Sequence, residues 1–268
     1  YSISSGVKGI FTSSWVGLKY FKEFVTDYKF GKLVRNTVAL SVLKLIFTFP
    51  LPIIFALMIN EIKHLKFKKI LQTCSYLPHF ISWVIISSIS YQFLSQSGII
   101  NVLLTKFHLI EKPIKFLTDA KLFWGLAVSL DIWKEMGWWT IIFLAAIVGI
   151  SQDYYEAAQI DGATRMQRII YITLPCIKST IVVVLIMTMG NLFGGGLSGS
   201  NFEQCYLLGN NVNSDTSSII QTYVFDVGLA QGRYAYATAV GLIQSVISLI
   251  LIFSSNFVSK KLAGSGLF

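Results

Sequence analysis

The chain has 268 residues, of which 54% are hydrophobic and 13% charged. Soluble domains carry about 25% charged residues, so this composition leaves too little polar surface to coat a globule and excludes a soluble protein, a disordered chain, a collagen-like chain and a disulfide-rich secreted module. The net charge of +9 would suggest nucleic acid in a soluble protein; in a membrane protein it reads as basic loops facing anionic headgroups, and no nucleic-acid partner follows.

Spanning the ~30 Å of bilayer hydrocarbon takes about 20 apolar residues as a helix. Five segments qualify: Asn36–Asn60, Ile70–Leu94, Leu122–Ile150, Leu174–Phe193 and Ala235–Val258. In lipid the backbone must satisfy its own hydrogen bonds, so continuous runs of this length are helices. Pro50 and Pro52 are expected to kink or locally open the first of them. Residues 1–35 precede the spans and 259–268 form a tail. Cys74, Cys176 and Cys205 show no metal-ligand spacing and His64, His79 and His108 are scattered, so neither a disulfide framework nor a metal site follows. The chain opens on Tyr1 in a polar, basic stretch, reads as trimmed there, and shows no signal peptide.

Charge alone does not set the orientation. Segments 61–69, 151–178 and 256–268 hold nine Lys and Arg, and segments 1–35, 95–121 and 195–234 hold eleven. Lys63, Lys66, Lys68 and Lys69 in one tight turn argue for a cytoplasmic loop, whereas the six basic residues before the first span argue the reverse.

Between the third and fourth spans, Ser151 reads as an N-cap followed by Asp153 in the first helical turn. Tyr154 to Ile160 is then a short helix, Asp161-Gly162 breaks it, and Ala163 to Thr173 forms a second one ahead of Leu174-Pro175. From periodicity this is either an amphipathic connector or an elbow that a partner grips, with Ala157 and Ala158 allowing close approach and Glu156, Asp161 and Arg165 offering charge.

Glu156-Ala157-Ala158, Gly162 and the later Ile172-x-Leu174-Pro175 resemble the EAA loop of permease subunits in binding-protein-dependent ABC importers. Trp15-Val-Gly-Leu, Asn60-Glu61-Ile62, the run Ser75-Tyr76-Leu77-Pro78-His79-Phe80-Ile81-Ser82-Trp83, Phe202-Glu203-Gln204, Thr222-Tyr223-Val224 and Tyr236-Ala237-Thr238-Ala239-Val240-Gly241 are similar to its maltose-permease-like sugar branch. Within that branch the similarity is to permeases for complex oligosaccharides, such as galacturonan, rhamnogalacturonan or alginate-type uronides, paired with lipoprotein-anchored binding proteins.

The resemblance implies an all-α polytopic helix bundle of the type I importer permease fold, in a prokaryotic cell membrane. The family has six spans, the first lying before the point where this chain begins. It implies that residues 36–258 form the transmembrane domain and that loop 151–173 faces the cytoplasm. Glu156, Ala157, Ala158, Asp161, Gly162 and Arg165 would dock on the ATPase, with residues 1–35 outside the cell. The implied partners are a second homologous permease, two ATPase subunits carrying ATP and Mg, and an extracytoplasmic lipoprotein-type binding protein, with no cofactor on this chain. The run 193–200 looks a few residues longer than the family's usual link.

Asp131, Lys134 and Glu135 lie near the midpoint of the third span, where a charge costs about 2.5–3.5 kcal/mol in lipid, so all three need an interior or aqueous face. Asp131, Glu135 and Trp138 share one helical stripe, which suits a sugar path: the indole stacks on pyranose C–H faces while carboxylates accept hydroxyl protons. The structural alternative has Lys134 neutralising Asp131 at i+3. Lys44, near the centre of the first span, either reaches the headgroups or faces the path. Gln244, on a small stripe with Gly241 and Ser248, and Asn191 are further pathway candidates, although such stripes also serve helix packing.

The glycine-rich run 194–200 lacks the Gly-Lys-Ser/Thr ending of a phosphate loop, and no HExxH, GxSxG or Walker sequence is present. A catalytic role is therefore not expected. Permeases for amino acids or phosphate, and an ATP-independent secondary transporter, are the competing functions.

Overall fold

The computed structural model describes residues 14–194 and 200–263. Among these, all regular structure is helical. Two helices are by themselves long and apolar enough to cross a membrane, and five spans result if each of three bent helix pairs counts as one, the number expected from the sequence. The glycine-rich run 195–199, the closing Gly266-Leu267-Phe268 and the first 13 residues lie outside the described part.

The first span starts earlier than expected, at Phe30, and runs 31 residues to Asn60. Its two helices, Phe30–Phe47 and Pro50–Asn60, are separated by two turn residues. Pro50 and Pro52 occupy the first turn of the second helix, where N–H groups have no intrahelical acceptor, so the prolines restart a helix at small cost.

The second span is not the continuous helix expected over Ile70–Leu94. Leu65–Tyr76 tightens into a 3-10 turn at Leu77–Phe80, Ile81 is extended (φ −80°, ψ 129°), and a new helix runs Trp83–Leu94. Pro78 has no N–H to continue the ladder, and hydropathy does not register a lost hydrogen bond. The third span, Phe123–Val148, bends 69° into Gln152–Ile160, and the fourth bends 63° between Arg165–Cys176 and Lys178–Leu192. The fifth, Tyr234–Phe257, is unbroken.

The chain forms two compact units. One comprises the described part of Tyr1–Val42 with Trp83–Ala127 and Gly190–Ile250; the other comprises Leu43–Ser82, Val128–Met189 and the described part of Leu251–Phe268. In the first, Phe24, Leu33, Ile220, Val227, Tyr236 and Val240 form the core. Buried Asn36 ties it to the polar segment near Ser214–Ser217, donating to the carbonyls of Asp215 (2.9 Å) and Ser218 (2.8 Å).

Lys32 Nζ lies 2.7 Å from Asp215 Oδ1, and its hydrogen bond and charge hold the Asp215 carboxyl below the ordinary carboxylate value. A carboxyl with a lowered folded-state pKa contributes stability above its unfolded pKa and loses it as pH falls through the folded one. Amide-exchange protection over 214–218 should therefore persist at neutral pH and drop only on acidification below the usual carboxylate range. Asp215→Asn should show reduced protection already at neutral pH.

In the second unit the core contains Ala56, Ile59, Phe143, Leu144, Ile147, Ile150, Ile177 and Val184. Gly137 allows the third span to approach the Leu65–Tyr76 helix closely: a Cβ at this position would run into the Ser75 carbonyl. Both contacts are backbone, so little can give way. Gly137→Ala is expected to destabilise by about 1–3 kcal/mol, the usual cost of overpacking, seen as a lower melting temperature of the detergent-solubilised protein.

Candidate functional site

Two groups of residues, both within the second unit, carry the chemistry singled out in the sequence. The first is the elbow. Ser151 caps Gln152–Ile160 by accepting the Asp153 N–H at 3.3 Å. The helix ends where Gly162 takes φ +76°, its N–H bonding the Gln159 carbonyl at 3.1 Å and the Ala163 N–H bonding the Ala158 carbonyl at 2.8 Å. Glycine occupies this left-handed position without the Cβ penalty of other residues. The second arm then opens with a capping box, Thr164 and Gln167 each bonding the other's backbone N–H.

The second arm is not the single α-helix expected over Ala163 to Thr173. It is α-helical over Arg165–Arg168 and widens to a π-turn over Ile169–Thr173. The Tyr155 hydroxyl and Thr173 Oγ1, 2.9 Å apart, tie the arms together. Tyr155, Ile172 and Leu174 pack on the core cluster, so the elbow is anchored to the spans behind it. Glu156, Ala157, Asp161, Gly162 and Arg165 are exposed and Ala158 is half-buried. Beside them Ile160 is 87% exposed and Met166 63%. Apolar side chains on a rigid, exposed, charged bend form a surface suited to a partner.

The second group lies at the middle of the spans. Lys44 Nζ meets Asp131 Oδ1 at 3.0 Å, and both side chains are buried. The pair joins the first span to the third. Lys134, the i+3 neighbour of Asp131, donates to the His79 carbonyl and lies 3.6 Å from Glu135 Oε1. His79 Nδ1 contacts Glu135 Oε2 at 2.8 Å. The His79 ring stacks on Trp138 with centroids 4.3 Å apart and planes 3° from parallel, and Phe80 meets the same indole edge-on at 5.9 Å. Trp138 is 37% exposed and Phe80 73%, so the cluster presents an aromatic face in front of a charge-compensated base.

The remaining candidates lie in the first unit. Asn191 is exposed near the end of Lys178–Gly194. Gln244 is buried and lines an apolar cavity of about 470 Å³ with Gln221, Gly241 and Ser245.

The family model described as "Binding-protein-dependent transport system inner membrane component" matches residues 24–264. The chain belongs to this family.

The permease is 46% identical to Protein LplB of Bacillus subtilis (strain 168) over 261 residues, covering 97% of this chain and 80% of the relative. It is 43% identical over 261 residues to the polygalacturonan/rhamnogalacturonan transport system permease protein YteP of the same organism, covering 97% and 79%. Among solved structures, a chain of a bacterial ABC transporter involved in import of the acidic polysaccharide alginate matches with TM-score 0.88 and 40% identity, covering 94% of this chain and 86% of that one. A chain of the alginate transporter in complex with a pentasaccharide-bound periplasmic protein matches with TM-score 0.88 and 39% identity, covering 94% and 85%. The permease is therefore a multi-pass membrane component with the type I importer fold that the sequence resemblance implied.

Residue patterns in the permease had not pointed to His79 as a partner of Glu135 and Trp138, nor to Lys44 as the partner of Asp131. The available signals were Pro78-His79 breaking an apolar run, and Lys44 and Asp131 as opposite charges at mid-depth in separate spans.

Proposed function

We propose that the permease is the non-catalytic membrane subunit of an ATP-driven oligosaccharide importer in a prokaryotic cell membrane. It would form half of the path with a second permease, coupled by its elbow to two ATPase subunits that hold ATP and Mg, and supplied by a lipoprotein-type binding protein. The observation that carries this reading is the elbow itself, an exposed bend fastened through Tyr155, Ile172 and Leu174 to the core of the spans. ATP-driven closure of the ATPase pair pushes on Glu156–Gly162, and because the bend is anchored, the push moves the spans rather than flexing a loop. Alternating access follows from rocking the two permeases about the path.

The path residues are Trp138, Phe80 and His79, with Glu135 behind them, and the substrate class favoured is an acidic oligosaccharide. Two unpaired acids would repel a uronide, but Asp131 lies against Lys44 and Glu135 against His79 and Lys134. The names of relatives such as YteP and of the alginate importer support the same class.

Two measurements test this reading. The permease should co-purify with an ATPase subunit and a sugar-loaded binding protein, and purification alone in active form would contradict it. Trp138→Ala should raise the KM for oligosaccharide uptake about tenfold while leaving sugar binding by the binding protein unchanged; tenfold corresponds to about 1.4 kcal/mol, in the range of one aromatic stack.

A further inference from the structure

A cavity of about 740 Å³ opens between the end of the first span, the end of the third span and the two arms of the elbow. Lys63, Arg165 and Arg168 line it, with Glu61 as the one acid and Tyr155 and Gln159 as neutral polar groups. The Nε of Arg168 is buried and finds no hydrogen-bond partner in the protein. A charged donor taken out of water without an acceptor is costly, and with three basic groups against one acid the lining carries a net positive charge. Ile147, Val148 and Ile169 add apolar groups to the lining of the basic recess. Basic pockets between spans at a membrane surface suit phosphate-bearing headgroups.

We propose that this cavity is a binding site for a phosphate-bearing anion, supplied either by an anionic phospholipid headgroup or by a soluble phosphate. Two guanidinium groups match phosphate oxygens in bidentate fashion, and Lys63 adds a point charge. Bound there, the anion bridges the loop after the first span, through Lys63, to the second arm of the elbow, through Arg165 and Arg168, and stiffens the lever. The inference takes from the proposed function only that the elbow transmits motion, and its test reads binding rather than transport.

The test uses the assembled transporter in nanodiscs of phosphatidylcholine alone or mixed with phosphatidylglycerol, with native mass spectrometry for retained lipid and calorimetric titration of inorganic phosphate. The wild type should retain phosphatidylglycerol or bind phosphate. Lys63→Gln with Arg168→Gln should weaken that binding about tenfold or more, Arg168→Lys should weaken it less, and Glu61→Gln should tighten it. Lipid retention that phosphate does not displace identifies the headgroup as the source; phosphate binding without lipid retention identifies the soluble anion. Equal binding of both probes by the wild type and the double variant, or no binding by the wild type, overturns the proposal. Should the double variant not assemble, Glu61→Gln carries the test, and unchanged affinity in that variant overturns it.

Discussion

Replacing Asp131 with Leu while Lys44 remains is expected to destabilise the permease by about 3–5 kcal/mol, the cost of removing one partner of a buried ion pair. Lys44 is 1% exposed and has Asp131 at 3.0 Å. Without the carboxylate its ammonium sits at mid-depth in an apolar bundle, where charge is expensive. A loss of this size is a large part of the about 5–15 kcal/mol stability of an ordinary domain, so the variant should fail to accumulate or should melt far below the wild type. Lys44→Met should behave in the same way for the mirror-image reason. The double replacement removes both charges, and replacing a buried pair with apolar groups is often neutral, so Lys44→Met with Asp131→Leu should regain most of the stability. Thermal aggregation of the detergent-solubilised protein, followed by size-exclusion chromatography, measures all three. Single variants as stable as the wild type would remove the pair from the account.

The second large effect is at Gly162. Its φ of +76° is incompatible with proline, whose ring fixes φ near −65°, and proline also removes the N–H that bonds the Gln159 carbonyl. Gly162→Pro must therefore rebuild the bend. Because Gly162 is exposed and no atom lies within 4 Å of a Cβ placed there, the damage stays local: spans insert and the core of the second unit persists. Stimulation of the partner ATPase by sugar-loaded binding protein should nevertheless be lost, and uptake should fall tenfold or more. Gly162→Ala separates shape from bulk, since it keeps the N–H and adds strain of about 1 kcal/mol; it should retain partial coupling. Full uptake in Gly162→Pro would mean that the elbow is only a connector.

Much of the architecture was legible because lipid restricts the choices. Apolar runs of span length have to be helices, and five were readable from hydropathy alone. The first arm of the elbow was equally legible, since an N-capping Ser151 and a breaking Gly162 are local signals whose physics does not depend on distant residues; the expected restart at Leu174-Pro175 instead lies after Cys176, where the bend falls. Orientation was not, because basic residues are spread over both sets of loops and only the resemblance carried by Glu156-Ala157-Ala158 and Gly162 separated them.

The break at Pro78–Ser82 was hidden by high hydropathy on both sides, which measures transfer to lipid and not the continuity of the hydrogen-bond ladder. The mid-span cluster was half legible. Charge at mid-depth announced that Asp131, Lys134 and Glu135 need partners, but helical periodicity supplies only neighbours on the same helix. The partners that form, Lys44 and His79, are 87 and 56 residues away in sequence, and only packing of separate spans brings them in. Glu135 also lies against the neighbouring Lys134, but Asp131 lies against Lys44 from the first span and Glu135 against His79 from the second, contacts that no single-helix pattern could supply.

The proposed function has this permease moving an oligosaccharide on the power of partner ATPase subunits. Uptake of a labelled acidic oligosaccharide into proteoliposomes holding the purified transporter tests it most directly. Uptake should require ATP inside the vesicles and binding protein outside them, and should continue when ion gradients are collapsed. Uptake that proceeds without ATP and stops when the gradients are collapsed would make the permease a secondary transporter.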